Sequence, residues 1–254
     1  MYKKVTETLT AAALKKRAMF QRSLIAYLVA AAIAGAFIGF GVLTMGMSGA
    51  ILGELTVPVH KIFSGLIFSM ALSLVIFAGG DLFTGNILTL GTGAMNHGLS
   101  WRDALTIVAT SYIGNFLGAV LLSCLFLGTG FGDSAMGEIV VGLGIAKGTQ
   151  TFVPLLFKGI LCNVLVCLAV YCCNKMSSES GKLIMIVWCI LPFVGIGFEH
   201  SVANMTVFTL SMLLSPDVTP LMALHNLVPV TIGNIIGGFL VAGGYFYLGE
   251  NEGL

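Results

Sequence analysis

Long apolar segments alternate with short polar connections along the whole chain. Four of the apolar segments contain no acidic residue, and they cover about 24–45, 104–127, 158–173 and 224–247. Two more begin near Ile62 and Leu183, and each is interrupted by a patch that holds one acidic residue. A helix of about 20 apolar residues spans the hydrocarbon core of a bilayer. The pattern therefore predicts an all-α membrane protein with six transmembrane helices, of which the second and fifth are broken.

The two interruptions are related to each other in sequence. Residues 81–86 (DLFTGN) match residues 199–204 (EHSVAN), and residues 113–119 (IGNFLGA) match residues 232–238 (IGNIIGG) in the same order. Each half of the chain then holds three spans, and an odd number places the second half upside down relative to the first. The sequence predicts a 3+3 inverted repeat with its site at the midplane between the broken helices. The predicted repeats cover about 23–128 and 150–248.

Composition supports a membrane protein of several spans. The 254 residues are 57% hydrophobic and 9% charged, with a net charge of +1 and no basic cluster that would bind nucleic acid. Residues 1–22 carry six basic side chains among apolar ones, which predicts an amphipathic helix on the cytoplasmic membrane surface. Basic residues concentrate on that side, so the positive-inside rule places both termini, including the tail 249–254, in the cytoplasm. The six cysteines all lie in apolar segments and are interpreted as buried core residues.

The polar residues of the breaks are the candidate functional groups. Ionisable side chains inside a membrane cost about 2.5–3.5 kcal/mol each, so they are usually kept for a function. His200 titrates near neutral pH, with a reference pKa of about 6.5, and Thr84 offers a hydroxyl to an anion, to water or to His200. Asp81 and Glu199 are expected to stabilise helix starts. Lys158 is expected to reach the lipid headgroups. The sequence predicts neither a metal nor a cofactor.

Asparagines near the breaks have a predicted structural role. Asn115 and Asn234 occupy equivalent positions in the third and sixth spans, and their amides are expected to bond the irregular backbone of the breaks. Asn86 and Asn204 are expected to do the same within their own segments. The glycines around Asn115 and Asn234 predict close helix packing.

Over essentially its whole length, the chain resembles the formate/nitrite transporter family. The resemblance lies in segments 198–204, 80–86 and 158–163, and within the family it is nearest to the hydrosulfide channel branch. It implies an aquaporin-like homopentamer with one pore in each protomer. The implied pore residues are His200, Thr84, Lys147 and Asn163, and Glu199 and Asn204 are further pore candidates from their place in the break of the fifth span. The implied inner constriction is Leu72, Leu82 and Phe193, and the implied outer constriction is Phe68, Phe83 and Val166.

The expected function is passage of small monovalent anions through a bacterial or archaeal inner membrane. Hydrosulfide is the first expected substrate, and formate or nitrite is the alternative. Lys147 would draw anions into the outer vestibule. The anion is either stabilised directly by His200 and Thr84 or passes as its neutral acid. A neutral-solute channel and a membrane-embedded enzyme are the less favoured alternatives.

Overall fold

Helices account for nearly all of the chain, as the apolar pattern predicts. The computed structural model describes residues 1–52 and 57–252. The α-helices are α1 (Tyr2–Arg22), α2 (Leu24–Leu52), α3 (Val57–Leu74), α4 (Phe83–Met95), α5 (Trp101–Leu127), α6 (Ala135–Gly148), α7 (Phe152–Lys175), α8 (Glu179–Ile196), α9 (Ser201–Leu214) and α10 (Pro220–Glu250). A π-helical turn at Val75–Gly79 continues α3, and a 3-10 turn at Phe131–Asp133 precedes α6. The described residues contain no strand, and the predicted all-α class is confirmed.

Six helical segments in the described part are long and apolar enough to cross a membrane. They are α2, α5, α7, α8, α10 and the stretch Val59–Gly79, which combines most of α3 with the π-helical turn. These segments coincide with the six predicted spans, although each is longer than predicted at one or both ends. The structure adds α6, which lies in the connection between the third and fourth predicted spans. The two short helices α4 and α9 follow the breaks and complete the second and fifth spans.

Both breaks turn at a glycine with a left-handed backbone. Gly79 has φ of 89° at the end of the π-helical turn, and Gly197 has φ of 90° at the end of α8. Side chains with a Cβ rarely adopt this conformation, so glycine is the residue that permits each turn. After the turn the backbone is extended at Gly80 and at His200, and then α4 and α9 begin. The two interruptions are therefore built alike, as the internal repeat predicts.

Close helix contacts hold each half together, and they are equivalent in the two halves. In the first half α2 packs on α5, and a Cβ added at Gly118 would overlap the carbonyl of Ala32. In the second half α7 packs on α10, and a Cβ added at Gly237 would overlap the carbonyl of Ile160. Small residues that let helix backbones approach are typical of membrane interfaces. The predicted packing role of these glycines is confirmed.

The amino-terminal helix α1 packs against the rest of the protein. Its buried residues are Val5, Thr6, Leu9 and Ala13. Ala13 lies against Gly93 of α4, and Thr6 lies against Gly249 of α10. The amphipathic helix is thus present, and its apolar side is covered by α4 and α10. Its position on the membrane surface stays a prediction, as do the domain limits. Parts of those predicted domains, residues 53–56 and 253–254, lie outside the described residues.

Candidate functional site

Two buried asparagines fix the extended backbone of the breaks. Asn115 accepts the N–H of Phe83 at 2.9 Å and donates to the carbonyls of Ala31 and Asp81. Asn234 accepts the N–H of Ser201 at 2.9 Å and donates to the carbonyls of Gly159 and Glu199. Each amide satisfies backbone groups that no helix can pair, which a membrane interior requires. The prediction for Asn115 and Asn234 is confirmed.

Asn163 connects the first break to α10, and its predicted place in the pore stays a prediction. Its Nδ2 donates to the carbonyl of Asn234 at 2.6 Å and to that of Thr84 at 3.3 Å, and the side chain is fully buried. Cys167 lies one helical turn further on, with its Sγ 3.5 Å from Asn163 Oδ1. These contacts give Asn163 a positioning role, because its amide holds the backbone carbonyl of Thr84.

Thr84 and His200 meet where α4 and α9 begin. Thr84 Oγ1 lies 3.1 Å from His200 Nε2, although the two residues are 116 positions apart. The N–H of Ala203 donates to Nδ1 of His200 at 3.2 Å, so the ring caps α9. An accepting Nδ1 carries no proton, and a neutral ring then presents N–H at Nε2 toward Thr84. The positive ends of two half-helix dipoles converge on this pair, which suits a negatively charged or polar solute.

Glu199 is the acidic centre of a hydrogen-bonded group next to His200 in the second break. Its Oε2 accepts from Lys147 Nζ at 2.8 Å and from Asn204 Nδ2 at 2.7 Å, and its side chain is 2% exposed. Asn204 also donates to Asn226, and Asn226 donates to the carbonyl of Lys147, which closes the group. The expected helix-start role of Glu199 is therefore incomplete. Its carboxylate is held mainly by an ion pair that joins α6 to the second break.

Asp81 is the equivalent acid of the first break, and two of its three partners come from α1 and α2. Its Oδ1 accepts from Lys16 Nζ at 2.6 Å, from Tyr27 Oη at 3.0 Å and from Asn86 Nδ2 at 3.1 Å. Sequence reasoning missed Lys16 and Tyr27. No motif in the sequence links Lys16 to Asp81, which lies 65 positions further along the chain.

A cavity of about 420 Å³ leads to His200 and is named the outer cavity after the predicted orientation. Its wall includes the cations Lys61, Lys147 and Lys158, together with Gln150 and His60. The expectation that Lys158 reaches lipid headgroups is wrong, because its Nζ lies 2.6 Å from Gln150 Oε1 inside this cavity. The side chain starts near the beginning of α7 and turns toward Gln150, which supplies a polar acceptor.

The six predicted constriction residues are all buried in one apolar cluster. They are Leu72, Leu82, Phe193, Phe68, Phe83 and Val166. Phe193 was expected in the inner group, yet it meets Phe68 edge to face with ring centroids 5.7 Å apart. Both rings line the outer cavity, and Phe193 also lies along the ring of His200 at 6.1 Å. This contact favours grouping Phe193 with Phe68, and the division of the six residues into two constrictions stays a prediction. No set of three or more metal-binding side chains occurs among residues 1–52 and 57–252.

Comparison with known proteins agrees with this architecture. The sequence profile described as formate/nitrite transporter matches residues 3–248. The nitrite transporter NirC of Salmonella typhimurium is 39% identical over 227 residues, covering 86% of this chain and 81% of NirC. A solved structure described as an FNT family ion channel superposes with a TM-score of 0.89 at 34% identity, covering 96% of this chain and 98% of the other. A pentameric formate channel with formate bound gives 0.82 at 27% identity, covering 95% and 99%.

The matches extend over both halves of the repeat and include both breaks. The relatives are channels or transporters, which excludes the membrane-embedded enzyme considered above. The chain belongs to the formate/nitrite transporter family and is a multi-pass membrane protein that transports anions rather than an enzyme.

Proposed function

We propose that each protomer conducts the small monovalent anions of weak acids, with the Thr84–His200 pair as the central contact. The observation that carries the proposal is the meeting of Thr84 Oγ1 and His200 Nε2 at 3.1 Å, with His200 in the wall of the outer cavity. Apolar side chains surround this pair, so a solute that reaches it has left most of its water behind. Because the Nε2–H of His200 is donated to Thr84 Oγ1, the Thr84 hydroxyl is the donor left for the solute at the point where hydration is lost.

Passage as the neutral acid is the route that these groups support best. A bare anion crossing the apolar constrictions loses hydration that one neutral hydroxyl donor does not replace. His200 is held by its Nδ1 contact in a form without positive charge. The fixed cations and the two half-helix ends draw the anion toward the pair, where a hydronium ion of the cavity water gives it a proton and becomes water, and the neutral acid continues. Weak acids take up that proton more readily than strong acids do.

Nitrite, formate and hydrosulfide are the candidate substrates. A relative named as a nitrite transporter and a structure named as a formate channel with formate bound favour the first two. Hydrosulfide remains a candidate from the likeness of the sequence to that branch of the family. All three are small monovalent bases of weak acids, so one pore can accept them. The charged groups around Glu199 disfavour a channel for neutral solutes such as water or glycerol.

We propose further that the protein is a homopentamer in a bacterial or archaeal inner membrane, with both termini in the cytoplasm. The pentameric formate channel supports the assembly. The distribution of basic residues supports the orientation, because α1 and the connection between α7 and α8 carry more of them than the outer connections. In this orientation the cavity that reaches His200 opens to the outside.

Anion flux into proteoliposomes tests the function. Nitrite, formate and hydrosulfide are compared at one pH for the wild type and for Thr84→Val, which removes the hydroxyl and keeps the shape. We expect flux of at least one anion to fall about tenfold, as loss of one hydrogen bond of roughly 1.5 kcal/mol implies. Thr8→Val, which alters an exposed hydroxyl of α1, is the matched control. Absence of flux for all three anions, or equal flux in both threonine variants, would overturn the proposal.

A further inference from the structure

The outer cavity holds a lysine whose charge is balanced only by a neutral group. Lys158 Nζ lies 2.6 Å from the amide oxygen of Gln150, and no ion pair of Lys158 occurs in the described part of the chain. We propose that Lys158 forms an anion-binding site of its own, separate from the Thr84–His200 pair. It would hold a nitrite-like or formate-like anion before that anion reaches the constriction. This inference deepens the proposed function and depends on it for its place in the transport path.

Charge on the cavity wall distinguishes Lys158 from Lys147. Lys147 is 2.8 Å from Glu199, so these two charges largely cancel at the distance of an approaching anion. Gln150 lies between the two charged groups, with its amide oxygen on Lys158 and its amide nitrogen 3.5 Å from Glu199 Oε1. The group of four side chains therefore carries one surplus positive charge, and that charge is located at Lys158. The sequence had predicted that Lys147 is the residue that draws anions into the vestibule.

Gln150 occupies the position that the anion takes. Its backbone is held in place, since His225 Nε2 lies 2.8 Å from the Gln150 carbonyl oxygen. The side-chain amide is a neutral acceptor that a carboxylate or nitrite oxygen can replace, because a hydrogen bond between two charged groups is stronger than one to an amide. An anion that displaces the amide oxygen gains the Lys158 ammonium and leaves the Glu199–Lys147 pair intact. The ligand class is a small monovalent anion with an exposed oxygen or sulfur acceptor.

At the inner break, the lysine that reaches the acid is compensated, unlike Lys158. Near the inner break, Lys16 pairs with Asp81 at 2.6 Å and Arg17 pairs with Asp103 at 2.9 Å. Each of these cations has a carboxylate partner, so neither offers an uncompensated charge to an anion. The Lys158 site therefore acts on access from the outer side only, and it makes the two directions of flux unequal at low anion concentration.

The test compares Lys158→Gln with Lys61→Gln in proteoliposomes of known orientation, using sodium nitrite and sodium formate at low ionic strength. Lys61→Gln removes the same charge from the exposed rim of the same cavity. For Lys158→Gln we expect the half-saturating concentration from the outer side to rise about fivefold, with the maximal flux and the inner-side value within twofold of wild type. Lys61→Gln is expected to change the outer half-saturating concentration less than twofold. Lys158→Arg is expected to restore the wild-type value. The difference between variants should fade at about 0.5 M salt.

Two results would overturn the site. One is a half-saturating concentration for Lys158→Gln within twofold of wild type, and the other is an equal rise in Lys61→Gln, which would indicate general attraction. Binding is measured separately as the rise in unfolding temperature that sodium nitrite causes in detergent, which Lys158→Gln should reduce and Lys61→Gln should leave unchanged. Loss of flux in the wild type would defeat the proposed function, whereas this binding measurement would still decide the site. Unfolding and pentamer size without anion confirm that each variant is assembled.

Discussion

Lys16 of the amino-terminal helix and Asp81 of the first break form an ion pair, with Nζ 2.6 Å from Oδ1. The pair repeats the relationship between Lys147 of α6 and Glu199 of the second break. In both halves a lysine from a helix outside the spans pairs with the acid. An asparagine five residues after the acid donates a further hydrogen bond to it. The inverted repeat therefore includes α1 and α6, and it is wider than the three spans of each half.

Removing Lys147 should destabilise the protein more than removing Lys16. Glu199 is 2% exposed and would remain as a buried charge without its cation, a change that typically costs about 3–5 kcal/mol. Asp81 is 9% exposed and keeps Tyr27 as a further donor after Lys16→Met. Unfolding in detergent of Lys147→Met and Lys16→Met measures the difference. The double variant Lys147→Met/Glu199→Gln should recover much of the loss, and failure to recover would show that the charge is not the cause.

The two scaffold asparagines should be equally sensitive to truncation. Asn115→Ala leaves the N–H of Phe83 and two carbonyls without their partner, and Asn234→Ala does the same around Ser201. An unpaired buried polar group costs about 1–3 kcal/mol, so each variant should unfold at a markedly lower temperature. Asn174→Ala is the matched control, because its amide bonds only a carbonyl of its own helix. A loss at Asn174 as large as at Asn115 would contradict this account.

Glycine contacts between spans predict a sharp contrast among alanine substitutions. Gly118→Ala and Gly237→Ala place a methyl group into a facing carbonyl, so they should separate α2 from α5 and α7 from α10. Gly142→Ala on α6 meets nothing within 4 Å and should be neutral or stabilising by up to about 1 kcal/mol. Yield and size of the assembled protein after purification measure the outcome. Normal assembly of both crowded variants would refute the packing described here.

The pH dependence of flux should survive replacement of His200 by asparagine. The ring caps α9 through an unprotonated Nδ1, and asparagine is a good cap that also carries a donor. If the substrate itself carries the proton, flux rises as pH falls, by about tenfold per unit while the neutral acid is the minor form. Nitrite flux between about pH 5.5 and 7.5 in both proteins measures this. A flat profile in His200→Asn would assign the titrating group to the imidazole instead.

Local sequence patterns predict much of the fold. The apolar runs give the spans, and the matching segments around Asp81 and Glu199 give the inverted repeat, so both could be predicted. The roles of Asn115 and Asn234 followed from the need to satisfy irregular backbone in a membrane. The helix α6 was missed because its glycines, such as Gly142 and Gly144, lower helix propensity, while packing against α9 compensates.

The partners of the charged groups could not be predicted from spacing. Lys147 and Glu199 lie 52 positions apart, and Lys16 and Asp81 lie 65 apart. No local rule connects residues at such separations, so Lys147 was expected to carry a free charge. Lys158 was misjudged for a related reason, since a lysine near the end of a span reaches headgroups unless a polar acceptor such as Gln150 lies nearer. The constrictions are still predictions, and the contact of Phe193 with Phe68 favours a different grouping of their residues.

Some side-chain contacts of the inverted repeat occur in both halves, and others occur in only one half. Asn115 and Asn234 hold the two breaks in the same way, whereas Gln150 and Lys158 belong to the outer mouth alone. A change at one mouth therefore leaves the duplicated framework undisturbed. On the proposed role of Lys158, substitutions at one mouth can change the balance between the two directions of flux. The framework that the two halves share then stays the same.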